Sequence, residues 1–170
     1  MAPSQPVLHH TFVIERRYAH PPARVFAAFA DPAKKRRWMG GESDARHATR
    51  EAHGDTFVID RHTLDFRVEG VERWRFRANG ALMTNDTFYL DIVPDRRIIF
   101  AYTMASGDAR FSSSHTTIEL VPDGSGTKLI FTEQGAYFDN KAESAAGREH
   151  GTRGLLDALA TELERSGTPG

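Results

Sequence analysis

The chain has 170 residues, enough for one domain with a real core, and its 22 Lys and Arg stand against 23 Asp and Glu, so no global field collects nucleic acid or an anionic membrane surface. There is no cysteine, which excludes disulfides, thiolate catalysis and cysteine-ligated zinc. No apolar run approaches the roughly 20 residues of a bilayer span, and Met1-Ala2-Pro3-Ser4-Gln5-Pro6 is not a charged region followed by a greasy stretch, so a soluble, cytoplasmic protein without a membrane span is expected.

Residues 1–8 hold two prolines and no periodic pattern, and the last residues are Gly- and Pro-rich. Both read as flexible ends, 1–8 and 167–170, around a single domain over 9–166. His10 to Tyr18 alternates, with Phe12 and Ile14 on one side and Val13 and Glu15 on the other, which suits a first strand. Pro22 fits an early helical position, and Val25, Phe26 and Phe29 then share one helix face. Asp31 can cap a second short helix with Pro32 at its first position, and Trp38 would anchor that helix on the core. Lys34-Lys35-Arg36-Arg37 reads as a solvated helix end rather than a nucleic-acid patch.

From about Ser43 to Gly135, turn signals such as Gly54-Asp55, Asn79-Gly80, Pro94-Asp95 and Asp123-Gly124 separate β-rich runs, the pattern of an antiparallel meander. Period two turns Trp74 and Phe76 inward and Arg73, Arg75 and Arg77 toward water. The same alternation sets inward Phe88, Leu90 and Ile92, then Ile98, Phe100, Tyr102 and Met104, then Ile118 with Leu120, then Leu129 with Phe131. A closing helix runs from roughly Ser144 to Arg165, with Leu155, Leu156, Leu159 and Leu163 on its apolar face. Gly147, Gly151 and Gly154 loosen its first half. Two short helices, a long antiparallel sheet and one closing helix make an α+β fold, and they cannot fill a curved sheet face with backbone. A walled apolar cavity is the expected result.

Asp65, Glu72, Asp86 and Glu133 come from different strands, and a buried carboxylate is one requirement of general acid–base chemistry. Parity selects three of them for the cavity: Glu72 runs with Trp74 and Phe76, Asp86 with Phe88 and Leu90, and Glu133 with Leu129 and Phe131. The plainer reading places such residues at strand ends, paired with arginines or at the cavity mouth. If Ile118 and Leu120 face inward, so do Ser112, Ser114 and Thr116, while His115 faces out. Ser112-Ser113-Ser114-His115 therefore forms no direct Ser–His pair. His47, His53, His62 and His115 lack the spacing of paired metal ligands, so solvated or singly bonded histidines are expected, with no metal and no cofactor.

The candidate ligand contacts are the aromatic wall of Trp74, Phe76, Phe88, Phe100 and Tyr102, and the polar Glu72, Asp86, Ser114 and Glu133, with Glu133 preferred. Phe29 and Trp38 join them from the first two helices, and Leu155 and Leu159 from the last.

The order strand, two helices, meander, long helix resembles the helix-grip fold of the START-like, or SRPBCC, superfamily, which includes polyketide cyclases and birch-pollen-allergen-like ligand carriers. Ala19-His20-Pro21-Pro22-Ala23-Arg24-Val25-Phe26 through Asp31-Pro32 and Trp38 is similar to the opening of the branch named after the activator of the Hsp chaperone ATPase. So are Asp91-Ile92-Val93-Pro94-Asp95-Arg96-Arg97-Ile98-Ile99-Phe100 and Gly126-Thr127-Lys128-Leu129 leading to Thr132-Glu133-Gln134-Gly135. Arg148-Glu149-His150-Gly151-Thr152-Arg153-Gly154-Leu155-Leu156 resembles the closing helix of bacterial members. The resemblance implies a cavity between the sheet and the C-terminal helix that holds a small hydrophobic or amphipathic molecule, lipid included, as a carrier or sensor. The alternatives are a cyclase- or hydrolase-like enzyme using the same cavity, and a co-chaperone or stress-response interaction module. A homodimer is compatible with each.

Overall fold

The computed structural model describes residues 6–41 and 56–165. The expectations for residues 1–5, for Ser43, His47, His53 and Gly54-Asp55, and for the tail from residue 166 lie outside the described residues. Strand β1 (Leu8–Tyr18) is followed by helices α1 (Pro22–Ala30) and α2 (Pro32–Gly40). Six strands follow: β2 (Phe57–Leu64), β3 (Val71–Ala78), β4 (Ala81–Val93), β5 (Arg97–Ser106), β6 (Ala109–Asp123) and β7 (Gly126–Tyr137). Helix α3 (Ala142–Arg165) closes the chain.

The strands form one curved antiparallel sheet in the order β1-β7-β6-β5-β4-β3-β2. From β2 to β7 each strand pairs with the next, and β1 joins at the far edge beside β7, with Ile14 opposite Phe131. At the β3–β4 hairpin, Asn79 (φ 50°) and Gly80 (φ 80°) both adopt left-handed backbone, which a two-residue turn matching the sheet's twist requires. Register shifts between Ile59 and Arg61, Tyr89 and Asp91, and Met104 and Ala105 mark bulges, which bend strands and re-aim their side chains.

Both short helices start as the sequence suggests. Pro22 and Pro32 occupy their first turns, and the Asp31 carboxylate accepts from the Lys34 amide at 3.0 Å. Trp38 is buried, donates its indole N–H to the Ala28 carbonyl at 2.9 Å and meets the Phe29 ring edge-on. The core then joins Ile14, Val25, Ile98, Ile118, Leu129, Leu156, Leu159 and Leu163. Helix α3 is fastened through its second half: the Tyr18 hydroxyl donates to the Leu156 carbonyl at 2.8 Å, Arg24 to the Leu163 carbonyl, and Arg37 grips Glu162 with two N–H groups.

Strand β4 departs from its expected face. Phe88 is 48 % exposed and Leu90 50 %, because the buried set on this strand is Asn85, Thr87 and Tyr89. The bulge after Tyr89 then resets the parity, so that Ile92 still packs on the core. Asp86 shares the outer face, where Arg75 reaches it at 2.8 Å and Arg73 at 3.9 Å. The basic run of α2 is a second correction. Lys35 is buried and Arg37 is paired with Glu162, so this is not a solvated end.

Candidate functional site

Between the concave face of the sheet, α2 and the first half of α3 lies a cavity of about 310 Å³. Its wall is chiefly aromatic, with Trp38, Phe57, Trp74, Phe76, Phe100 and Phe131. Gly147 and Gly151 of α3 line it and are exposed to solvent, which places an opening along that turn of helix. A Cβ on either glycine would meet nothing within 4 Å.

One end of the cavity is organised by Glu72, whose side chain is 1 % exposed. Its Oε2 accepts from Lys35 Nζ at 2.6 Å and from the Tyr89 hydroxyl at 2.7 Å. Its Oε1 accepts from the Trp74 indole N–H at 2.9 Å and lies 2.9 Å from His62 Nε2. Lys35 also donates to the Tyr89 oxygen at 2.9 Å, and the His62 ring stacks on Trp74 with centroids 3.6 Å apart. Burial alone would raise the pKa of Glu72. The Lys35 charge and the hydrogen bonds of His62, Lys35 and Tyr89 outweigh it and hold the carboxyl at about 2. Tyr89 is pushed far up, by burial first and then by the Glu72 charge, and stays neutral.

The other end is organised by Arg148, which enters from α3. It donates to Glu133 Oε1 at 3.1 Å, to the Tyr102 hydroxyl at 2.7 Å, to Ser112 at 2.7 Å and to Ser114 at 3.3 Å. Its guanidinium lies over the rings of Tyr102 and Tyr137. Tyr102 in turn donates to Glu133 at 2.8 Å, and burial, followed by the Glu133 charge, raises its pKa well above the ordinary phenol value. Between the two ends, the register sets Glu72, Thr87 and Tyr102 side by side on β3, β4 and β5, and Trp74, Asn85 and Met104 in the next row.

Among the sequence-derived contacts, Phe29, Trp38, Glu72, Trp74, Phe76, Phe100, Tyr102, Glu133 and Leu155 lie on the cavity wall. Ser114 is off it, buried behind Arg148. Leu159 is fully buried in the core below the cavity rather than on its wall. Asp86 and Phe88 are on the opposite face of the sheet, for the reason of parity given above.

Lys35, His62, Asn85, Thr87 and Arg148 were not among those contacts, and four of them had a signal. Lys35 precedes Trp38 by three residues and shares its helix face, and Arg148 continues the α3 face through Thr152 to Leu155 and Leu156. Asn85 and Thr87 have the parity of Tyr89, which is legible only once Phe88 is turned outward. His62 had none, because the bulge after Ile59 that turns it inward leaves no mark in the alternation.

A family model described as Activator of Hsp90 ATPase homolog 1-like protein matches residues 19–164. The solved structure of the Mll3558 protein from Rhizobium loti is 48% identical, with 93% of this chain and 99% of that one covered at a TM-score of 0.79. An uncharacterized protein from Rhizobium leguminosarum is 38% identical over 94% of this chain and 97% of its own, at a TM-score of 0.80. A protein from Chromobacterium violaceum is 29% identical over 91% and 96%, at 0.67. No functionally curated protein matches the chain.

Proposed function

Because the chain belongs to the Activator of Hsp90 ATPase homolog 1-like family, within the START-like superfamily, we propose that it binds a small hydrophobic or amphipathic molecule between sheet and helix, as a carrier or sensor. The observation that carries this reading is the open volume of about 310 Å³, within the range of small-molecule sites, which are mostly apolar with a few placed polar groups. Apolar area withdrawn from water supplies the driving force, roughly 25 cal/mol per Å².

A second reading, a cyclase- or hydrolase-like enzyme in the same cavity, draws support from the polar side chains that converge deep in the wall. Their protonation states weigh against it. Glu72 stays ionised down to about pH 2 with both oxygens saturated, and Tyr89 and Tyr102 are held neutral, so none is matched to proton transfer near neutral pH. The interaction-module reading needs a filled interior beside an exposed apolar patch, and the open interior does not favour it.

Titration with the uncharged fluorophore N-phenyl-1-naphthylamine tests the binding reading. Saturable uptake of one probe per chain, together with a retained small molecule in native mass spectra of protein from its own host, is expected. Absence of saturable uptake combined with an empty mass spectrum would overturn it.

A further inference from the structure

Every full charge that the described residues place on the cavity wall is already matched. Lys35 is 2.6 Å from Glu72 and Arg148 is 3.1 Å from Glu133. An ionic ligand would bring an unpaired charge into buried volume, which is strongly unfavourable. The wall therefore suits an uncharged occupant.

Hydrogen-bonding capacity says more. Asn85 is 8 % exposed and lines the cavity. Its Oδ1 accepts from the Thr87 hydroxyl at 3.0 Å, which sets the roll of the amide and turns Nδ2 away from Thr87. Among the described residues no side chain or backbone oxygen accepts from that NH₂ group. Lys35 spends two of its three N–H bonds, on Glu72 and Tyr89, and it also faces the cavity. Glu72 cannot serve these spare donors, since its two oxygens already have four partners. The NH₂ group opens on the cavity rather than being sealed in the wall, so an occupant that brings an oxygen supplies the acceptor that the protein does not. The cross-strand neighbours of Asn85 are Trp74 on one side and Met104 on the other, which give a flat ring two apolar rails beside the amide.

We infer that the cavity selects an uncharged, ring-containing molecule bearing a carbonyl-type oxygen, with that oxygen received by the Asn85 amide. The inference rests on the cavity reading above and adds to it the chemical class and the receiving group.

Isothermal titration of the intact chain with three naphthalenes of matched shape tests it: 2-acetylnaphthalene, 2-ethylnaphthalene and 2-naphthoate. The acetyl compound is expected to bind roughly tenfold more tightly than the ethyl compound, the worth of about one net hydrogen bond, and more tightly than the carboxylate. In Asn85→Leu the ratio of acetyl to ethyl affinity is expected to fall to about one. Equal affinity of the acetyl and ethyl compounds for the wild-type chain would overturn the assignment and leave the cavity reading standing, as would a preference for 2-naphthoate. Binding of none of the three would overturn both. The ligand comparison on the wild-type chain decides the matter even where the variant fails to fold.

Discussion

Lys35→Met separates the two forces that act on Glu72. In the native protein, burial pushes the Glu72 carboxyl up, and the ammonium of Lys35 with the hydrogen bonds of His62 and Tyr89 brings it down from 4.5 to about 2. That difference corresponds to about 3 kcal/mol of stability. The folded pKa lies below the unfolded one, so this stability is fully present above about pH 4.5 and is lost as pH falls toward 2. Removing the ammonium leaves burial opposed only by His62, Tyr89 and Trp74. The folded pKa then rises above the unfolded value and the sign reverses: the variant is relatively most stable with Glu72 protonated and loses stability as pH rises. Breaking a buried pair costs about 3–5 kcal/mol. In urea unfolding the variant's deficit is therefore expected to be of that size at pH 7 and to shrink by about 2 kcal/mol or more at pH 4. A deficit that stays constant between pH 7 and pH 4 would refute the account of Glu72 as a carboxylate held ionised by Lys35.

Gly151→Leu places a side chain where nothing stands within 4 Å of the added Cβ, at the exposed edge of the cavity, so probe uptake is expected to fall while thermal melting stays level or rises by up to the roughly 1 kcal/mol of helix propensity gained. A lower melting temperature with unchanged uptake would count against an opening at this turn. Phe88→Ser should change stability by no more than about 0.5 kcal/mol, as at other surface positions, and a loss above about 2 kcal/mol in denaturant unfolding would return Phe88 to the inner face. Tyr102→Phe removes the hydroxyl between Arg148 and Glu133 and should cost about 1.5–3 kcal/mol by the same assay, the range for hydrogen bonds to charged groups.

Much of the architecture is legible in the alternation. The inner faces of β5, β6 and β7 are read correctly because their apolar residues point into core and cavity alike, as at Ile98, Ile118 and Leu129. The same rule fails on β4, where the inner positions Asn85 and Thr87 are polar because they floor the cavity, and the apolar Phe88 lies outside. Hydrophobicity marks the core-facing side only where that side is dry. Glu72 and Glu133 are placed by parity, but their partners come from helices and a bulged strand: Lys35 from α2, Arg148 from α3 and His62 from β2. A charged run such as Lys34 to Arg37 reads as solvated until a buried carboxylate is known to await one of its members. Three-dimensional register, not composition, supplies that knowledge.

The central claim is that the occupant sits inside the sheet, against Asn85 and the aromatic wall. The most direct measurement is a ¹⁵N-resolved NMR titration of the intact chain with 2-acetylnaphthalene. Saturable shifts are expected for the Asn85 side-chain NH₂, the Trp74 indole N–H and the backbone amides of Gly147 and Gly151, with His115 and Phe88 on the outer face undisturbed. Saturable shifts confined to the outer face, or none at any position, would contradict the account.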